Sequence, residues 1–80
     1  MTPTPSLHQA FADGLGIPVD RVSESLTYNT ITEWDSVAHM NLVAELERVY
    51  QVMLDTDDII DMSSVAKARE ILLRYGVTPG

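Results

Sequence analysis

The sequence predicts an all-α domain, a small bundle of three main helices and one short one, and three observations carry that expectation. Apolar residues recur at three- and four-residue intervals in separate segments, each segment follows a residue able to cap a helix N-terminus, and no stretch alternates apolar and polar residues long enough to make a strand. The chain has 80 residues, 45% hydrophobic and 21% charged, which suits one domain over 1–80 with loose tails at 1–5 and 77–80. A domain so small is marginally stable. Without cysteine it has neither a disulfide staple nor a thiolate metal site, so the packing of amphipathic helices must hold it.

In the first segment, Pro3 and Pro5 keep the leading residues extended and Ser6 can cap a helix over roughly residues 6–15. Leu7, Phe11 and Leu15 recur at i, i+4 and i+8 beside Ala10, and Gly14, Gly16 and Pro18 then stop the helix. Residues 17–34 read mostly as loop. A turn of helix is expected within 20–25, with Val22 and Leu26 reaching inward, turn chemistry at Thr27-Tyr28-Asn29-Thr30, and Ile31 and Trp34 as apolar pins. A loop this long in so small a domain tends to be functional.

The second helix is expected over residues 36–50, about 22 Å long at the usual rise per residue. Asp35 and Ser36 are both good N-cap residues, and an apolar-periodic run starts directly behind them. The run carries two stripes. His39, Leu42, Val43, Leu46 and Tyr50 share a face that should point at the core. Val37, Met40 and Ala44 lie on a neighbouring face, on the side of Ser36, and serve either as packing under the 17–34 loop or as an exposed docking patch. After a linker at 51–55, Asp55 or Thr56 caps a short helix of about 57–61 carrying Ile59, Ile60 and Met62. Ser63 or Ser64 caps a last helix of about 65–75, with Val65, Ala68, Ile71, Leu72 and Tyr75 on one face and Lys67, Arg69, Glu70 and Arg74 off it. Gly76 ends it, and a loose Pro-Gly tail follows.

Charge narrows the partners. Twelve acids against five Lys and Arg give −7, and residues 35–61 alone hold seven acids and one base, or −6. Such a balance disfavours nucleic acid and anionic membrane and suits either basic protein surfaces or a solvated face that keeps the protein soluble. The leading residues are short and polar, unlike a signal peptide, and no apolar run approaches membrane-spanning length, so a cytoplasmic location is expected.

The chemistry-bearing residues are few. Ser36 and His39 at i, i+3 could suggest a nucleophile and base, but no orienting carboxylate or oxyanion hole accompanies them, and His39 falls on the core-facing side. It reads as a core or cavity-lining histidine with one satisfied hydrogen bond, and His8 as an ordinary exposed helix residue. Asp55-Thr56-Asp57-Asp58 lacks the turn glycine and distal Glu of a calcium loop, and fits the start of a short helix. No phosphate-binding Gly-rich loop or metal-ligand cluster is present, and an enzyme acting alone is not expected. Ser36 instead stands at a helix N-terminus, where unpaired N–H groups and the helix dipole favour a phosphate. It is read as the anchor of a phosphate-linked prosthetic arm.

These residues also carry a likeness. Asp35-Ser36-Val37 resembles the Asp-Ser-Leu signature of acyl carrier proteins, whose serine bears 4′-phosphopantetheine. Leu42-Val43-Ala44-Glu45-Leu46-Glu47 with Tyr50 resembles the family's helix after that serine, and Gly14-Leu15-Gly16-Ile17 with Val22 its first helix end and loop. Asp57-Asp58-Ile59 and Ser63-Ser64-Val65 look like its third helix and the start of its fourth. The likeness spans roughly residues 7–76. It implies a four-helix bundle of acyl-carrier type and no catalysis by the chain itself. It also implies a covalent phosphopantetheine on Ser36, placed with coenzyme A and Mg²⁺ by a phosphopantetheinyl transferase that Asp35 helps to position.

By the same likeness, acyl-loading and acyl-processing enzymes with basic patches dock on Val37, Met40, Ala44, Glu45, Glu47, Asp57 and Asp58 of a monomer. The acyl chain folds back among His39, Leu42, Leu46, Ile59 and Ala68. Ala38 and Asn41 depart from the fatty-acid-synthesis pattern, which has acids there, and Trp34 stands where a small residue is common. A dedicated lipid, polyketide-like, secondary-metabolite or cell-surface-glycan pathway therefore fits better than the usual fatty-acid-synthase partners. Trp-Asp before Ser36, in place of Gly-Gly, favours an acyl over an aminoacyl or peptidyl carrier. A plain acidic interaction domain with no prosthetic group is the competing expectation.

Overall fold

A computed structural model describes residues 5–80, so the expected extension at Pro3 lies outside the described residues. Four α-helices follow in order: α1 (Leu7–Leu15), α2 (Ser36–Tyr50), α3 (Thr56–Asp61) and α4 (Val65–Arg74), with a single 3₁₀ turn at Val19–Arg21 between α1 and α2. No strand occurs among the described residues; Thr27 and Ser64 form one isolated antiparallel bridge. The fold is all-α.

Three of the four helices begin where a short polar side chain accepts from the free N–H groups of the first turn. Ser6 accepts from Gln9 N at 3.1 Å, Asp35 from Ala38 N at 2.9 Å and Ser64 from Lys67 N at 3.0 Å. Helix α3 starts one residue earlier than its sequence suggests, and Asp55 occupies the cap position without its carboxylate capping. Helix α4 stops at Arg74, with Tyr75 as its C-cap. The turn of helix expected within 20–25 forms at its start, over Val19–Arg21, where Pro18 supplies the fixed φ of the lead-in, and a second turn closes through Leu26 N to Ser23 O at 3.0 Å. Three ends use left-handed backbone: Gly16 at φ 69° closes α1, Gly76 at φ 81° follows the Tyr75 cap of α4, and Gln51 at φ 56° closes α2 without the glycine that such a position favours.

The core joins α1, α2 and α4. Leu7, Phe11, Leu42, Leu46, Val65, Ile71 and Leu72 are fully buried, as expected from their stripes. Gly14 does more than help stop α1. A Cβ there would lie 3.0 Å from Leu42 Cα, so the absent side chain is what lets α1 approach α2 so closely. Tyr50 is only half-buried, and its hydroxyl donates to Pro5 O at 3.2 Å. Residues 77–80 are not loose. Pro79 is buried, Arg69 Nη1 donates to Pro79 O at 3.0 Å, and Leu7 N, one of the unpaired donors at the start of α1, donates to Gly80 O at 3.0 Å. No helix among the described residues is long and apolar enough to cross a membrane.

Candidate functional site

The long loop before α2 determines where Ser36 sits, and it is tied down at three places. Trp34 is fully buried and meets Phe11 edge-on at 5.4 Å and Tyr28 edge-on at 6.1 Å, so it anchors the loop in the core. Behind it, the loop backbone clips onto the start of α4. Val65 N donates to Leu26 O at 3.1 Å, Ala66 N to Glu24 O at 3.1 Å, and Tyr28 N to Ser63 O at 2.8 Å. The loop thereby satisfies two donors that a helix start leaves orphaned. On the outside, Arg21 grips Glu33 with bonds of 2.8 and 3.3 Å. The hydrogen bond from Arg21 holds the Glu33 carboxyl below its usual range, and the same contact raises the guanidinium.

This frame delivers Asp35 as the α2 cap and Ser36 as the first helical residue. Ser36 is exposed, and its hydroxyl makes no hydrogen bond among the described residues. A groove of about 370 Å³ opens beside it. Ser36, His39 and Met40 of α2 form one wall, Ile59, Ile60, Met62 and Ser63 the other, and Tyr28 stands at the loop side.

His39 holds this groove together. Trp34 Nε1 can only donate, so the 2.9 Å bond to His39 Nδ1 makes that nitrogen the acceptor. Nε2 then carries the ring's proton and donates to Ile59 O at 2.8 Å, bridging α2 to α3. The ring stacks on Trp34 at 6.0 Å and 19°. The histidine expected to have one satisfied hydrogen bond has two, and both ring nitrogens are engaged inside the fold. That arrangement removes it further from a role as base for Ser36. His8 is also not simply exposed. Its Nε2 is shut off from solvent with no hydrogen-bond partner among the described residues, 3.9 Å from Glu24 Oε1, which Arg69 binds at 2.7 Å.

The expected docking and cavity residues divide. Val37 is 71% exposed and Met40 56%, and Ala44 is exposed too, so the second stripe of α2 does not pack under the loop. The acids are less free than their number suggests. Glu45 is held by Arg48 at 2.7 and 3.1 Å, Glu47 accepts from Leu54 N at 2.9 Å, and Asp58 takes the Tyr75 hydroxyl at 2.6 Å and Arg74 at 3.3 Å. Asp57 is exposed. Of the residues expected to enclose an acyl chain, His39 and Ile59 line the groove. Leu42, Leu46 and Ala68 do not; they are fully buried and used up in the helix core.

Ile60 escaped the sequence reading as a surface residue. It is 74% exposed and lines the groove. The signal was present: adjacent isoleucines on one helical turn stand about 100° apart, so Ile59 and Ile60 cannot both face inward. Among the described residues no group of His, Cys, Asp and Glu is placed to hold a metal ion. Comparison of the chain with protein-family models, with curated proteins and with solved structures finds no match.

Proposed function

We propose that this chain is an acyl carrier whose Ser36 bears a phosphopantetheine arm. The observation that carries the reading is a serine hydroxyl, exposed and unpartnered among the described residues, on the first turn of α2 at the mouth of an apolar groove. The residues present fit the group. The helix start offers positive dipole and free N–H donors to a phosphodiester, and Asp35 is already committed to Ala38 N, so it shapes the turn without covering the hydroxyl. The arm supplies the thiol that a cysteine-free chain lacks, and cargo rides on it as a thioester.

In the loading reaction Ser36 Oγ forms a bond to the β-phosphorus of coenzyme A, the pyrophosphate P–O bond breaks, and adenosine bisphosphate departs. The serine proton passes to a base of the transferase. Partners meet Val37, Met40 and Ile60 around the groove, and the net charge of −7 steers basic surfaces toward them. Because Glu45, Glu47 and Asp58 are partnered internally, the apolar residues carry more of this contact than the acids.

The exposure of Val37, Met40 and Ile60 would equally serve an interaction module with no arm, and the two readings separate at Ser36. Intact-mass measurement after incubation with a promiscuous transferase, coenzyme A and Mg²⁺ tests the carrier reading. One added phosphopantetheine is expected on the wild type and none on Ser36→Ala.

A further inference from the structure

Resting on the carrier reading, we propose that His39 is a latch that shuts cargo out of the helix interior, making this a carrier of short acyl groups held in the outer groove. His39 stands on the α2 wall of the groove one turn after Ser36, with fully buried Met62 also lining it, and Leu42 and Leu46 follow His39 at i+3 and i+7 on the same face of α2, both fully buried. A chain growing inward from Ser36 therefore meets the imidazole first. That ring spans from α2 to α3 through its 2.8 Å bond to Ile59 O and is braced by Trp34 at 2.9 Å and by the edge of Tyr28 at 5.4 Å. Helix α3 is anchored at its ends by buried Leu54 and Met62 and has no buried side chain of its own, so the His39 bond is what ties its middle to α2. A long acyl chain enters only by parting α3 from α2, and that breaks the His39–Ile59 bond. A short one needs no such opening, because Met40, Ile60 and Tyr28 already offer it apolar surface beside the serine.

Two substitutions divide the latch. His39→Gln keeps a donor for Ile59 O and loses the acceptor for Trp34; His39→Asn keeps the acceptor and is too short to reach α3. Each chain is loaded at Ser36 by a promiscuous transferase from butyryl- or dodecanoyl-coenzyme A, loading is verified by intact mass, and melting is compared. In wild type and His39→Gln the two cargoes should give the same Tm, whereas in His39→Asn dodecanoyl should raise it over butyryl by about 4–8 °C. Should His39→Asn not fold, the wild type still decides. Its Trp34 Nε1–H resonance should be indifferent to cargo length, and a dodecanoyl-dependent shift of that resonance or of the wild-type Tm overturns the latch while leaving the carrier reading intact. A chain that accepts no arm at all overturns the carrier reading first, and the latch with it.

Discussion

The two sides of this small protein are held by different physics. Where α1, α2 and α4 meet, leucine, phenylalanine, valine and isoleucine side chains are fully buried, and helix contact is close enough to require a glycine at position 14. Where α3 and the long loop frame Ser36, buried Val22, Leu54 and Met62 give fewer apolar anchors and directed polar bonds share the holding: His39 to Ile59 O, Tyr75 to Asp58, Leu54 N to Glu47 and the start of α4 to the loop carbonyls. Apolar burial is nondirectional, whereas each of these bonds fixes one geometry, and breaking a part-buried one such as His39 to Ile59 O leaves a polar group unsatisfied. The difference places an apolar base under a site whose rim is fixed bond by bond. Trp34 joins them, a loop residue sunk fully in the core and bonded to the rim through His39.

The comparison breaks most severely at that joint. Trp34→Ala should cost about 3–5 kcal/mol, the usual range for deleting a buried aromatic, and should also disorder the loop that presents Ser36. Denaturant unfolding measures the first effect, and amide exchange at residues 26–34 the second. On the apolar side, Gly14→Val forces a branched side chain against the Leu42 backbone and should cost about 1–3 kcal/mol, seen as a lower denaturant midpoint with an unchanged slope.

The rim should answer to pH. The Tyr75 hydroxyl donates to Asp58, and chiefly for that reason its pKa is raised above the ordinary 10.0. The sign follows: the clasp contributes fully below the unfolded value and is lost as pH rises through the higher folded value. Alkaline titration should therefore release α3 above pH 10 while the helix core persists, and Tyr75→Phe should abolish that step and show faster amide exchange in α3 already at neutral pH.

Much of the architecture was legible in the residues. The bounds of α2, the cap Ser6 and the buried stripes follow from local spacing and capping chemistry, while the choice of Asp35 over Ser36 and of Ser64 over Ser63 as caps came only with the folded backbone. What was not legible is what distant residues do to one another. Glu47 and Asp58 look like free charges until Leu54 N and Tyr75 come within reach, and the Pro-Gly tail looks loose until Leu7 N and Arg69 find its carbonyls. Leu42, Leu46 and Ala68 lie on faces that could line a cavity or fill a core, and only the depth of packing distinguishes these. Ser36 itself was readable as the start of a helix, and its exposure beside the groove required the loop's tertiary clips.

The smallest effect on folding should come from the residue on which function depends most. Asp35, not Ser36, makes the capping bond, so Ser36→Ala should leave Tm nearly unchanged. The most direct measurement is then the intact mass of wild type and Ser36→Ala after exposure to a promiscuous phosphopantetheinyl transferase with coenzyme A and Mg²⁺. A single added arm on the folded wild type, absent from the equally folded variant, is the result this account predicts; an unmodified wild-type chain, or an arm that persists in Ser36→Ala, would contradict it.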